Sequence, residues 1–111
     1  MKLEVTKRGD AVVFSLSGEV VSRDDQHAAS EAVAARLAEG DRVFVLDLSQ
    51  VPYVSSLGIA VLVATYVRVT REGGKVRLVN PRPKVASVLE MTKVADMFQT
   101  YSSIEEALKA E

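Results

Sequence analysis

Two adjacent serines, Ser55 and Ser56, lie between a buried-strand pattern and a long apolar helix pattern. A serine in the first turn of a helix meets unpaired backbone N–H groups and the positive end of the helix dipole, and both favour an anion. Such a serine can cap the helix, hold a bound anion or accept a phosphate. A phosphate would add about two negative charges there without unfolding the domain. The residues alone leave these three uses open.

Catalytic chemistry has little support elsewhere in the chain. A serine nucleophile needs a neighbouring base, and the single histidine, His27, lies on the polar side of a helix pattern. The serine turn lacks the glycine that a nucleophile elbow carries two residues before its serine. The acidic pairs Asp24-Asp25 and Glu105-Glu106 stand at predicted helix starts, where carboxylates favour the dipole. We therefore expect a protein that is not an enzyme and has no catalytic residue.

Composition argues against several other classes of function. The 111 residues include 14 basic and 15 acidic side chains, a net charge of -1, which gives no footprint for nucleic acid or for a membrane surface. The chain has no cysteine, so disulfides and cysteine-based zinc sites are excluded. No apolar run approaches the roughly 18 residues of a membrane-spanning helix. We expect one cytoplasmic domain over residues 1–111, with no metal, no cofactor, no direct nucleic-acid contact and no membrane insertion.

The first half of the chain predicts a hairpin, a helix and a central strand. The hairpin follows from apolar residues that alternate with polar ones: Leu3, Val5, Val12, Phe14 and Leu16. Ser22 and Asp25 form a capping-box pair ahead of a helix over residues 24–39. Residues 43–48 are almost continuously apolar, as expected of a strand covered on both faces.

The second half predicts two further strands and three helices. Residues 56–72 place Ile59, Leu62, Val63 and Tyr66 on one helical face, and their length without a turn signal favours a helix over a strand. Gly73-Gly74 is interpreted as a plain turn. The remaining elements are a strand over 75–80, a helix that opens at Pro83, an edge strand over 97–101 and a final helix behind the capping pair Ser103 and Glu106.

The order ββαβαβαβα predicts an α/β domain with a mixed, mostly parallel sheet of four to five strands and helices packed on it. The first strand should be antiparallel at one side. In such sheets, ligands and partners meet the loops beyond the carboxyl ends of the strands. The loops over residues 18–25, 49–56 and 80–83 should gather there. We expect one shared surface that includes Ser22, Asp24, Asp25, Ser55, Ser56 and Asn80.

Five segments together resemble the STAS domain family over nearly the whole chain, and within it the bacterial anti-sigma factor antagonists. The segments are Gly18-Glu19-Val20, residues 45–49 with Val51 and Tyr53, Ser56-Leu57-Gly58-Ile59, Gly73-Gly74-Lys75, and residues 89–98. The resemblance implies a single STAS-like α/β domain.

The resemblance also implies a function and a partner. In that family the unmodified protein binds an anti-sigma factor that is itself a serine kinase, which frees the sigma factor. The kinase, which would hold the ATP and magnesium, then phosphorylates the serine at the start of the second helix and ends the binding. That position matches Ser56. The resemblance and the loop topology together imply the following partner surface: Ser22, Asp24, Asp25, Ser55, Ser56, Leu57, Gly58 and Val61.

Two positions depart from the family pattern, and a second function stays open. The phosphorylated members commonly carry aspartates where this chain has Ser55 and Val21. The alternative is a constitutive STAS scaffold subunit of a lipid-transport or signalling assembly, in which Ser56 only caps a helix.

Overall fold

Within residues 1–110, which the computed structural model describes, five strands form one sheet in the order β1-β2-β3-β4-β5. The strands are β1 (Lys2–Arg8), β2 (Ala11–Ser17), β3 (Val43–Gln50), β4 (Lys75–Val79) and β5 (Gln99–Tyr101). The helices are α1 (Arg23–Ala38), α2 (Ser56–Arg71), α3 (Pro83–Met91) and α4 (Ile104–Lys109), and a 3-10 turn covers Val94–Met97.

The pairing of the strands confirms the predicted topology. β1 and β2 are antiparallel, with Leu3 opposite Leu16 and Val5 opposite Phe14. β2, β3, β4 and β5 are parallel neighbours, and a helix lies between each successive pair in sequence. The carboxyl ends of these parallel strands therefore lie at one edge of the sheet, which is where the serine turn follows β3.

The sheet is covered on both faces, and this explains the continuous apolar run of β3. Phe44 and Leu46 belong to the main core, which α1, α2 and α3 close through Val33, Leu62 and Val85. Val45, pointing the other way, belongs to a smaller core under α4. A central strand buried on both faces favours apolar residues at successive positions, and polar residues enter β3 only toward its carboxyl end, from Asp47 onward.

One predicted element has different bounds for a structural reason. The edge strand predicted over residues 97–101 begins only at Gln99, since Met97 ends the 3-10 turn and pairing with β4 starts at Gln99 opposite Arg77. Phe98 is buried, with its ring centroid 5.4 Å from that of Tyr66 in an edge-on contact. Met97 and Phe98 thus pack into the core without being part of a strand. A short apolar run does not by itself distinguish a strand from another buried segment. The other predicted bounds differ by no more than two residues.

A buried carboxylate connects β1, the strand at the other side of the sheet, to the end of α1. Asp41 is 4% exposed and accepts a hydrogen bond from Nε of Arg36 at 2.6 Å and another from Nζ of Lys7 in β1. The hydrogen bond from Lys7, assisted by Arg36, holds the pKa of Asp41 below its ordinary value near 3.8 despite the opposing effect of burial. The ionised form is therefore the one that stabilises the fold.

Asp41→Asn should lower the free energy of unfolding by about 1–3 kcal/mol at pH 7, because two charge-assisted hydrogen bonds are lost. The folded pKa lies below the unfolded one, so the wild-type contribution is present above pH ~4 and is lost as the pH falls through the folded pKa. Urea unfolding at pH 7 and pH 3 should show the gap between the two proteins closing at the lower pH. The matched control is Glu90→Gln on the exposed side of α3. A gap that does not depend on pH would contradict this account.

Candidate functional site

Ser55 caps α2, and it also joins two loops. Its backbone is extended (φ -86°, ψ 178°), and its Oγ accepts a hydrogen bond from the Gly58 N–H at 3.4 Å. The same hydroxyl donates to the Val20 carbonyl at 3.1 Å, in the loop before α1. The expectation that Ser56 is only a helix cap is therefore wrong in its assignment of the cap, because the neighbouring serine provides it.

Ser56 is the first residue of α2 and is exposed. Its hydroxyl has no hydrogen-bond partner among residues 1–110. The first turn of α2 holds no acidic residue, whereas α1 begins with Asp24 and Asp25. The positive end of the α2 dipole is thus uncompensated by its own first turn, so the dipole would favour an anion at the exposed Ser56.

The loop before α1 is held in place by its own caps. Ser22 Oγ accepts from the Asp25 N–H at 3.2 Å, and Asp25 Oδ2 accepts from the Val21 N–H at 2.9 Å. The Val21 hydrogen bond, with the amino terminus of Met1 3.5 Å from the carboxylate, holds the pKa of Asp25 below its ordinary value. Asp25 therefore shapes the loop, and Asp24 beside it remains exposed.

Two apolar side chains next to the serines are exposed. Val21 is 69% exposed and Tyr53 is 47% exposed. They belong to the two loops that the Ser55–Val20 hydrogen bond joins. Large apolar side chains that are exposed on adjoining loops are typical of a contact surface. Neither was in the predicted partner surface, although an apolar residue inside a turn, outside any strand or helix period, is a signal that could have found them.

Of the predicted partner-contact residues in α2, Leu57 and Val61 reach the surface and Gly58 is buried. Leu57 and Val61 are half-buried and present part of their side chains to solvent. Gly58 is buried, and a Cβ there would lie 3.1 Å from Cγ1 of Val54. Gly58 therefore lets α2 pack closely on the turn and supports the surface from beneath.

The loop over residues 80–83 is only partly associated with this surface. Nε of Arg82 donates to the Ser49 carbonyl at 2.9 Å, which fastens the loop to the end of β3. Asn80, however, lines a separate concavity with Asp47 and the start of α4. The structure thus places Asn80 with α4 instead of with Ser55 and Ser56, as the side chains of Asp47 and Val79 lie on the α4 face of the sheet.

Among residues 1–110, no three His, Asp or Glu side chains are grouped closely enough to hold a metal ion. His27 is exposed on α1, and its Nε2 lies 2.9 Å from Oε1 of Glu31. Over the same residues, every helix is too short or too polar to span a membrane.

The sequence matches a family model, that of the STAS domain, over residues 2–107. The chain belongs to the STAS domain family. The relative BtrV of Bordetella bronchiseptica, named as a candidate anti-sigma factor antagonist, is 30% identical over 110 residues, which cover 99% of this chain and 94% of BtrV.

Solved STAS structures share the fold. An anti-sigma factor antagonist from Mycobacterium paratuberculosis is 28% identical with a TM-score of 0.82, covering 96% of this chain and 90% of that one. A protein of Thermotoga maritima described as a candidate anti-sigma factor antagonist is 24% identical with a TM-score of 0.86, covering 96% and 92% of the two chains. The latter similarity concerns the fold alone.

The cap assignment predicts different effects for the two serines of this STAS domain. Ser55→Ala removes both the cap and the bond to Val20, so it should lower the free energy of unfolding by about 1 kcal/mol or somewhat more. Ser56→Ala removes an exposed hydroxyl without a partner and should change stability by less than about 0.5 kcal/mol. Thermal and urea unfolding of both variants would check this. Equal effects of the two substitutions would show that the cap is shared or misassigned.

Proposed function

We propose that this STAS domain is an anti-sigma factor antagonist, a non-catalytic binding module. Its contact surface comprises Val21, Tyr53, Ser56, Leu57 and Val61, and its partner is an anti-sigma factor that is also a serine kinase. Phosphorylation of Ser56 ends the binding. The relative BtrV, similar over nearly all of both chains and named for this class, supports the choice of an anti-sigma factor as partner.

The observation that carries the proposal is the placement of Ser56. It is exposed at the start of α2, its neighbour Ser55 provides the cap, and the first turn of the helix holds no acid. A hydroxyl that neither caps nor packs is free to react, and the helix terminus favours the product, since a phosphate there meets the positive end of the dipole.

The same placement explains how a phosphate would act as a switch. Val21 and Tyr53 offer apolar surface on the loops beside Ser56, and a partner covering them would remove water from the serine as well. A group with about two negative charges would then have to be desolvated within an apolar contact, which is costly. Phosphorylation therefore weakens binding while leaving the domain folded.

The proposal is tested by isolating the partner and then asking it to act as the kinase. The unmodified domain serves as bait in an extract of its native cell, and retained proteins are identified by mass spectrometry. The purified partner is then incubated with ATP, magnesium and either the wild type or Ser56→Ala. We expect an anti-sigma factor to be retained and one phosphate to appear on the wild type at Ser56. Phosphate on Ser55, or none at all, would overturn the phosphorylation step.

A constitutive scaffold is the second candidate, and a specific observation favours it. Ser55 and Val21 stand where phosphorylated antagonists commonly carry aspartates, so this surface lacks two carboxylates that a kinase could contact. A scaffold would retain a transport or signalling subunit from the extract, and Ser56→Asp would leave that affinity unchanged.

A further inference from the structure

A groove of about 470 Å³ lies between α1 and α2. Its walls include Arg23, His27 and Ser30 from α1, and Val61, Ala64 and Arg68 from α2. The groove lies outside the serine turn described above.

Small side chains leave this groove open. α1 buries only Ala29 and Val33 against the rest of the molecule, and α2 contributes Ala64 and Thr65 to the groove. The Thr65 hydroxyl donates to the Val61 carbonyl at 2.8 Å, so its polar atom is already satisfied within the helix. The floor is therefore apolar or internally paired, and it offers contact to apolar side chains.

Two arginines and one aspartate line the groove: Arg23, Arg68 and Asp24. Nη1 of Arg68 donates to the carbonyl and the hydroxyl of Ser30, at 3.2 Å and 2.8 Å, which holds the guanidinium across the groove. Arg23 lies in the first turn of α1, and among residues 1–110 only Asp24 lines the groove with a carboxylate. A preorganised arginine with further free N–H groups is suited to bind carboxylates.

The groove is continuous with the proposed contact surface, because Val61 belongs to both. We propose that the α1–α2 groove docks an acidic amphipathic helix of the same partner, with its carboxylates on Arg23 and Arg68 and its apolar side chains on Val61 and Ala64. The inference rests on the proposed function. It adds a second anchor point, which includes charged side chains, to the apolar contact around Ser56.

The absence of cysteine from the chain makes a direct probe available. Ala64→Cys places a unique thiol on the exposed edge of the groove, where it can carry an environment-sensitive fluorophore. The probe ligands are two amphipathic peptides of about four helical turns, one with glutamates on its polar face and one with lysines in their place. The labelled domain also carries Arg68→Glu, Arg68→Lys or the control Lys84→Glu on α3.

The acidic peptide should bind the labelled domain, and the lysine peptide should bind at least about tenfold more weakly. Arg68→Glu should weaken acidic-peptide binding by about tenfold or more, Arg68→Lys by less, and Lys84→Glu hardly at all. Equal binding of the two peptides, or acidic-peptide binding that Arg68→Glu leaves unchanged, would overturn the proposal. Thermal unfolding of each variant checks that the loss does not reflect loss of structure.

The purified partner gives a second readout that separates this proposal from the proposed function. Alkylation of the unlabelled Ala64→Cys thiol should slow several-fold when the partner is bound, and Arg68→Glu should weaken the partner as well. If Ser56→Asp abolishes binding but the thiol stays fully reactive in the complex, the groove proposal fails and the function stands. If the acidic peptide binds as expected but no anti-sigma factor is retained, the proposed function fails, and with it the assignment of the helix to that partner, while the preference of the groove for an acidic helix stands.

Discussion

Ser56→Asp should lower the affinity for the anti-sigma partner by about a hundredfold, which corresponds to about 2–3 kcal/mol of binding free energy. The aspartate places a full negative charge on the exposed first residue of α2, and the neighbouring loops carry the exposed apolar side chains of Val21 and Tyr53. A partner that covers these side chains must desolvate the charge without pairing it. Isothermal titration calorimetry with the partner isolated by the extract experiment would measure the change.

The same substitution should leave the fold intact or slightly stabilise it. A carboxylate in the first turn of α2 meets the uncompensated end of the dipole, which contributes about 0.3–1 kcal/mol to stability. Loss of binding by Ser56→Asp therefore cannot be attributed to unfolding, and thermal unfolding would show this directly.

Ser56→Asn is the matched control, since asparagine has nearly the shape of aspartate without its charge. Affinity close to that of the wild type is expected for the asparagine variant. If asparagine weakens binding as much as aspartate, shape and not charge is decisive at this position. If neither does, Ser56 lies outside the contact and the charge switch is wrong.

The fold was largely predictable because its strongest signals are local and repeated. The continuous apolar run of β3 requires a strand covered on both faces, and the structure places Phe44 and Val45 in cores on opposite sides of the sheet. The capping pair Ser103 and Glu106 likewise forms, with the Glu106 N–H donating to Ser103 Oγ at 3.1 Å. Patterns of this kind depend on a few neighbouring residues and are little changed by the rest of the chain.

The candidate site was less predictable, because its details depend on contacts between distant residues. Either serine could have capped α2, and the choice of Ser55 is accompanied by its bond to Val20, 35 residues earlier. Asn80 was expected beside the serines from topology alone, but the two faces of the sheet separate them. The groove between α1 and α2 also depends on the distance between the two helices. The spacing of apolar residues along each helix does not determine that distance.

The turn Gly73-Gly74, interpreted from sequence as a plain turn, is a close packing point. Gly73 has a φ of +81°, with open space where a Cβ would be. A Cβ on Gly74 would instead lie 2.4 Å from the Arg42 carbonyl oxygen and 2.7 Å from Cγ1 of Val69. The Gly74 N–H donates to the Val69 carbonyl at 2.9 Å, and the next N–H, that of Lys75, donates to Arg42 at 2.7 Å. Gly73 is therefore needed for its positive φ, and Gly74 is needed because there is no room for a side chain at its position.

Gly74→Ala should therefore lower the free energy of unfolding by about 3 kcal/mol, because the obstructing atom is backbone and cannot rotate away. Relief requires the Arg42 carbonyl just before β3, and Val69 near the end of α2, to move away from Gly74. This movement also weakens the two hydrogen bonds that anchor the start of β4. Gly73→Ala, the adjacent control, should cost about 1 kcal/mol from its positive φ alone. Urea unfolding of both variants would separate the two causes. If Gly73→Ala lowers the free energy of unfolding more than Gly74→Ala does, the conformation of the turn, and not the close packing around Gly74, limits which residues the turn accepts.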